Sequence, residues 1–381
     1  MNLFISCMPG LEPILCQELA RLGFAGDPDR AGVHVSIAEF KDIYKLNLEL
    51  RTASRVLLPL LQFECHDKKE LYENALEINW DPYFAGNPTF AIDAVVHHNP
   101  AITNSLFAAQ TVKDAICDQL KKRSGVRPSV DLKDPKVCLH LFIQANRAQI
   151  SFDTSGMPLH MRGYRMDTGE APLRQSLAAA LLLMLGYTGS EQLVDPCCGT
   201  ATFLIEAALI ASNTAPGLLR PWFGFFSHPE FSEELFRKVK NECLKKKKPL
   251  ERGQILGIER NPKVVSIAKK AIGRAHFEKV IEVVEGNFQT CPLAFEPDFV
   301  IANPPYGMRL EATDSLRQMY QDLGDFLKKR TKKPARAGIL TGNLELAKCI
   351  GLKTTKRHIV SNGGIDCRLL EYDVYQQTTR S

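Results

Sequence analysis

The chain has 381 residues, 45% of them hydrophobic and 24% charged, with 48 Lys and Arg set against 43 Asp and Glu. That balance is ordinary for a globular chain long enough to build two or three cores. Residues 1–160 hold 16 basic and 19 acidic side chains and residues 161–381 hold 32 and 24. The net charge of +5 therefore permits a nucleic-acid partner without demanding one, and any basic surface must be local.

Residues 1–55 alternate short elements. Leu3–Ser6 and Gly32–Ile37 read as strands, and Glu12–Arg21 and Phe40–Leu50 as helices by their apolar spacing. A β-α-β-α start of this kind predicts a small α+β layer of ferredoxin-like type. A second unit follows over 56–156. Val56–Phe63 is a strand that Pro59 demotes towards a sheet edge. Lys68–Ile78 is a helix, Thr89–Val96 a strand and Asn104–Lys122 a long helix. Val137–Gln144 and Gln149–Phe152 alternate like strands and close on the turn Asp153-Thr-Ser-Gly156. The basic, irregular stretch Met157–Thr168 marks a boundary.

From Pro172 onward long helices alternate with apolar strands, the signature of a doubly wound sheet. The spacing predicts strands at Gln192–Asp195, Ile255–Glu259, Ile281–Glu285, Phe299–Ala302 and Gly338–Leu340. Two more, around Thr355–Val360 and Arg368–Tyr375, are joined by Ser361-Asn-Gly-Gly364, a hairpin signal that makes the last strand antiparallel. The longest apolar run, Leu177–Leu185, is far short of the roughly 20 residues of a membrane span. No charged, apolar, small-residue leader opens the chain, so the expectation is a soluble, cytoplasmic protein. Its eleven cysteines include no CxxC pair, which reads as reduced thiols with no metal site.

Four of the predicted strands stop at a polar residue. In open α/β sheets the carboxyl edge is where ligands bind. Leu193-Val-Asp195 runs into the small-residue loop Pro-Cys-Cys-Gly199-Thr-Ala-Thr202 and an apolar helix. Such a loop lets a ligand approach free backbone N–H groups, although it also suits a plain turn in a core. With one glycine where GxGxxG is wanted, it is poorly matched to a dinucleotide pyrophosphate. Glu259 ends the next strand and could accept from both ribose hydroxyls of a nucleoside; Asn287 follows the third and could meet an adenine edge. The fourth ends in Asn303-Pro304-Pro305-Tyr306-Gly307. There the Asn303 amide oxygen and Pro304 carbonyl can bind the protons of an exocyclic amine while Tyr306 stacks on its ring. Methyl transfer from a sulfonium needs no metal and no nucleophilic side chain, only an acceptor held in line. Lys245–Lys248 reads as a solvated helix end, Cys197–Cys198 as loop packing and His97–His98 as surface. The cluster Lys121, Lys122, Arg123 and Arg127 could touch an RNA backbone.

Asn303-Pro-Pro-Tyr306 resembles the acceptor motif of S-adenosylmethionine-dependent amino-methyltransferases. Asp195-Pro-Cys-Cys-Gly-Thr-Ala-Thr202-Phe-Leu-Ile-Glu-Ala-Ala208 resembles the cofactor motif of the guanine amino-methyltransferases of RNA. Arg162-Gly-Tyr-Arg165, Glu170–Ala180, Ala211–Leu218 and Asn362–Leu370 extend the likeness. Ile78–Trp80, Val112–Ile116 and Arg127–Asp131 look like a THUMP RNA-binding domain. The resemblance is to the RlmL-type methylases of large-subunit ribosomal RNA, without the second methyltransferase fused to some relatives. It implies a Rossmann-like class I domain over 165–381 that uses S-adenosylmethionine. It further implies Asp195, Gly199, Thr202, Glu259 and Asn287 at the cofactor, Asn303, Pro304 and Tyr306 at the acceptor, and N2-methylation of a guanine in ribosomal RNA. Transfer RNA is the alternative substrate, and a non-catalytic RNA-binding protein the alternative class. Two positions depart from the family pattern: Ala201 stands for a glycine and Asn287 for an acid.

Overall fold

The computed structural model describes residues 1–165, 173–306 and 314–375. In chain order the first elements are β1 (Asn2–Cys7), α1 (Glu12–Leu22), β2 (Gly26–Asp29), β3 (Gly32–Ser36), α2 (Lys41–Glu49), β4 (Ala53–Glu64) and α3 (Lys68–Glu77). They continue as β5 (Phe90–His97), α4 (Ser105–Ser124), β6 (Val137–Gln144) and β7 (Arg147–Asp153). Helices α3 and α4 start where the sequence supplies caps: Asp67 accepts from the Glu70 N–H and Asn104 from the Phe107 N–H.

All seven strands join one sheet, ordered β2-β3-β1-β4-β7-β6-β5. Strand β4 makes it continuous, since its first residues, to Leu57, pair with β1 and those from Leu57 onward pair with β7. Pro59 was expected at an edge, and β4 as a whole is interior. Yet Pro59 lies past the last residue paired with β1, at a register shift before Leu61, so its missing N–H costs no ladder bond on that side.

The chain forms two compact units. The first comprises Met1–Cys7, Cys16–Leu159 and Pro221–Asn241; the second comprises Met8–Leu15, His160–Arg220 and Glu242–Ser381. Residues 221–241 thus lie with the first sheet although they interrupt the sequence of the second. Their backbone threads closely past the turn after β7. A Cβ on Gly224 would fall 2.1 Å from the Asp153 carbonyl, and one on Gly156 would fall 2.2 Å from the Trp222 ring. Phe225 N–H donates to Thr154 O at 2.8 Å and Ser232 N–H to the Tyr44 hydroxyl at 2.8 Å. Around Tyr44 gather Phe225, Phe231 and Phe236, a satellite aromatic core.

His228 belongs to this core. It stacks on Phe40 at 4.6 Å, meets Phe152 edge-on at 4.9 Å, and burial holds its imidazole neutral with a pKa near 4. A histidine whose folded pKa lies below its unfolded value of about 6.5 contributes stability that is complete above pH 6.5. That stability is lost as pH falls towards 4, to an extent of roughly 3 kcal/mol. Between pH 7 and 4.5 the protein's melting temperature is therefore expected to fall more than that of a His228→Phe variant. Parallel curves would contradict a buried neutral His228; His140, also held near 4 by burial, is common to both proteins.

The second unit continues with α5 (Gln175–Met184), β8 (Leu193–Asp195), α6 (Thr202–Ala211), and, after α7 (Glu233–Lys245), β9 (Ile255–Glu259), α8 (Pro262–Arg274) and β10 (Ile281–Glu285). It closes with β11 (Phe299–Ala302), α9 (Asp314–Lys329), β12 (Ala335–Thr341), α10 (Leu344–Lys348), β13 (Lys356–Asn362) and β14 (Ile365–Val374). The sheet order is β10-β9-β8-β11-β12-β14-β13. Neighbouring strands from β10 to β12 are parallel, and β14 inserts antiparallel between β12 and β13. The hairpin turns at Gly363 and Gly364, with φ of 61° and 88°, the two left-handed positions of a two-residue turn. On one face Ile258, Val300, Ile339 and Leu370 pack with Tyr320, Leu323 and Phe326 of α9. Among the described residues no helix is long and apolar enough to cross a membrane. Lys245–Lys248 is exposed at and beyond the end of α7.

Candidate active site

Because β10, β9, β8 and β11 are adjacent and parallel, their carboxyl ends bring Asn287, Glu259, Asp195 and Asn303 to one edge of the sheet. Strand β11 stops there for a readable reason. Val300, Ile301 and Ala302 are fully buried, and the two prolines after Asn303 have no N–H to prolong the ladder.

Asp195 is 1% exposed, and its Oδ1 accepts the Cys197 N–H at 3.0 Å. Burial pushes its carboxyl up to about 8, against the Cys197 N–H and with the added repulsion of Glu259. The loop then turns through two left-handed residues, Gly199 (φ 51°) and Ala201 (φ 65°). A Cβ on Gly199 would meet nothing within 4 Å, so the loop's backbone faces open space. Gly257 is the opposite case: its Cβ would lie 2.4 Å from Leu204 and 2.8 Å from the Cys198 sulfur, and its absence lets the loop and α6 settle on β9. Ala201 keeps the turn that glycine makes more easily. An alanine in that region costs about 1–2 kcal/mol, and its buried methyl returns roughly 0.8 kcal/mol.

Glu259 ties the loop to β9. Its Oε2 accepts the Gly199 N–H at 3.2 Å and its Oε1 the Asn261 N–H at 2.8 Å. Each oxygen keeps a further lone pair for a ligand. Asn287 is exposed and engaged locally: its Nδ2 donates to Gln289 Oε1 at 2.7 Å and its Oδ1 accepts the Gln289 N–H at 3.0 Å. Cys197 and Cys198 are held well above the usual thiol range by burial and by the nearby carboxylates, which suits packing and not nucleophilic attack.

Just past β11, Asn303 Oδ1 is buried and has no hydrogen-bond partner among the described residues. Pro304 is buried and Pro305 exposed, and the half-buried Tyr306 receives Asn362 Nδ2 on its hydroxyl at 3.2 Å. Gly307, like Met166–Pro172 of the resembling stretches, lies outside the described residues.

Sequence reasoning assigned no role to the residues that brace α6. Glu206 is the lone charged side chain in Thr202–Ala211 and is completely buried. Its Oε1 receives the Tyr164 hydroxyl at 3.0 Å and Arg162 Nε at 3.4 Å. Arg165 donates to the Leu173 carbonyl at 3.0 Å and to Thr202 Oγ1. Thr202 therefore sits beneath the loop with its hydroxyl already engaged, and the Arg162–Arg165 segment clamps the helix that the loop opens. A single acid in an otherwise apolar helix was the available signal.

The RMKL-like methyltransferase domain family matches residues 162–371, the THUMP domain residues 65–153, and the RlmL ferredoxin-like domain residues 2–57. A Synechocystis protein named as an RNA methyltransferase is 36% identical, covering 98% of this chain and 96% of its own. The ribosomal RNA large subunit methyltransferase K/L of Allochromatium vinosum is 38% identical over 97% of this chain, which spans only 51% of that protein. The crystal structure of SMU.472, named as a methyltransferase and complexed with SAH, superposes with a TM-score of 0.86 at 26% identity and 99% coverage of both chains. The chain belongs to the RlmL-like family of S-adenosylmethionine-dependent RNA methyltransferases, with ferredoxin-like and THUMP parts ahead of a mixed α/β methyltransferase sheet.

Proposed function

We propose that this protein methylates the exocyclic 2-amino group of a guanine in RNA, and that the RNA is that of the large ribosomal subunit. The observation that carries the reading is Asn303 Oδ1 just past β11, buried and without a donor among the described residues. A buried acceptor without a donor costs about 1–3 kcal/mol, a cost that makes sense where a donor is to arrive. An amino group supplies that donor, and so does the family's chemistry.

The residues fit the cofactor. Open space at Gly199, backbone N–H groups around the loop, the doubly anchored Glu259 carboxylate and the polar end of β10 at Asn287 form a receptacle for a nucleoside. Asp195, Gly199, Thr202, Glu259 and Asn287 would hold it. S-Adenosylmethionine supplies an electrophilic methyl group on sulfur. Asn303 Oδ1 and the Pro304 carbonyl fix the amine's protons, turning its lone pair out of conjugation with the ring and stabilising the positive charge that develops on nitrogen. Tyr306 stacks on the base, which has to leave its duplex to reach it.

RNA capture falls to the first unit. Lys121, Lys122 and Arg127 are exposed at and beyond the end of α4, while Arg123 is paired with Asp81 at 2.9 Å. Replacing Lys121 and Lys122 by Ala is expected to weaken RNA binding and to flatten the plot of log K against log salt by roughly 1.5, near the loss of two phosphate contacts. An unchanged slope would take the interface elsewhere. The substrate is tested by comparing nucleosides from ribosomal and transfer RNA of a deletion strain by mass spectrometry. Loss of N2-methylguanosine from large-subunit ribosomal RNA is expected; loss confined to transfer RNA overturns the ribosomal target.

A further inference from the structure

The motif Asn362–Leu370 resembles the family, yet neither cofactor nor acceptor roles absorb it. Its strands lie at the same edge of the sheet as Asn303. β14 begins beside the end of β12, with Arg368 opposite Thr341, and β12 is the neighbour of β11. Asn362, the last residue of β13, is 6% exposed. Its backbone pairs with Ile365 to close the turn, which leaves the side-chain amide for other use. That amide donates to the Tyr306 hydroxyl at 3.2 Å, and the Cys367 thiol approaches the same oxygen at 3.8 Å. The ring also lies against Gly342, just past β12, where an added Cβ would stand 3.1 Å from two ring carbons.

Tyr306 follows two prolines, so its main chain has lost the neighbouring N–H groups that could tie it down. The place of its ring is set instead through its hydroxyl and its contact with Gly342. We propose that Asn362 is a positioning residue for base capture: it holds the Tyr306 hydroxyl so that the ring is already oriented when the base arrives. Ordering a tyrosine in advance removes an entropic cost from the binding step. The C-terminal hairpin is thereby part of the acceptor site although it touches no reacting atom. The proposal rests on Tyr306 being the ring that receives the base.

Two measurements test it. In the full chain labelled with 3-fluorotyrosine, the Tyr306 fluorine resonance is assigned by its loss in Tyr306→Phe; Asn362→Ala is expected to shift it, and an unmoved resonance overturns the proposal. In steady-state methylation of RNA, Tyr306→Phe and Asn362→Ala should each lower kcat/KM about fivefold to tenfold, the size of one hydrogen bond. The loss should lie mainly in KM for RNA, with unchanged affinity for S-adenosylhomocysteine. The double variant should be no worse than Tyr306→Phe alone, since removal of the hydroxyl already severs the Asn362 contact. Additive losses, or unaltered kcat/KM in the single variants, overturn the proposal. Should Asn362→Ala fail to fold, Tyr306→Phe breaks the same bond with the hairpin whole, and parental kinetics in that variant are equally fatal. An enzyme that methylates no RNA would refute the functional reading, while the fluorine measurement would still decide the positioning.

Discussion

Asn303→Ala is expected to lower kcat for methyl transfer by at least about 10²–10³-fold, the range found when a single transition-state hydrogen-bonding group is removed from an active site. Affinity for S-adenosylhomocysteine should stay within about threefold of the parent. The asymmetry follows from where the charge moves. Before reaction the amino nitrogen is nearly planar and neutral, and as the methyl group arrives it becomes tetrahedral and cationic. An acceptor held on a rigid strand end therefore gains interaction strength between ground state and transition state, which is the condition for raising kcat. Asn303 meets the structural requirement: β11 is flanked by β8 and β12, the following prolines stiffen the turn, and among the described residues Oδ1 is spent on no other partner. Asn303→Asp is the sharper comparison. It keeps an acceptor but places a charge in a buried position, so a partial recovery of kcat at higher pH is expected. Retained turnover in Asn303→Ala would remove Asn303 from the chemistry, and loss of cofactor affinity would move it to the neighbouring site.

The edge of the second sheet was legible because the code there is simple. A short apolar run of two to four residues halted by Asp195, Glu259 or Asn303 reads as a buried parallel strand with a polar end, and the strands of the structure end at or beside those residues. The Gly363-Gly364 turn was equally plain, since few other dipeptides occupy two left-handed positions. Strand β2, Gly26–Asp29, was not, because Gly-Asp-Pro-Asp has neither alternation nor β-branched residues and forms only by pairing with β3. Residues 221–241 lie in sequence between the loop after β8 and Glu259, yet belong with the first sheet. Their aromatic side chains find partners near Tyr44, far away in sequence, and no local pattern encodes that. Glu206 could have been found, as one charge in an apolar helix demands a buried partner. The orphaned Asn303 oxygen could not. An absent hydrogen bond is a property of everything around the atom, and the same holds for the bond from Asn362 to Tyr306.

Glu259→Ala is expected to weaken cofactor binding by about 10²–10³-fold, because hydrogen bonds to a charged group contribute about 1.5–3 kcal/mol each and two ribose hydroxyls would lose their acceptor. Glu259→Gln should fall between, near tenfold, since one amide oxygen remains while the NH₂ faces the Gly199 or Asn261 N–H that the carboxylate now satisfies. Those two backbone bonds also create a competing account, in which Glu259 merely ties the loop to β9 and its loss loosens the fold. The two accounts separate on the ligand's side. If the carboxylate holds the ribose, the parent should bind S-adenosylhomocysteine at least tenfold more tightly than its 2′-deoxy analogue by calorimetry, and Glu259→Ala should bind both alike. If Glu259 serves only the loop, the preference for the 2′-hydroxyl will survive the substitution, and the melting temperature will account for the loss. Equal binding of the two ligands by the parent would be decisive against the ribose, because a carboxylate that keeps free lone pairs at that strand end cannot be indifferent to a hydroxyl placed on it.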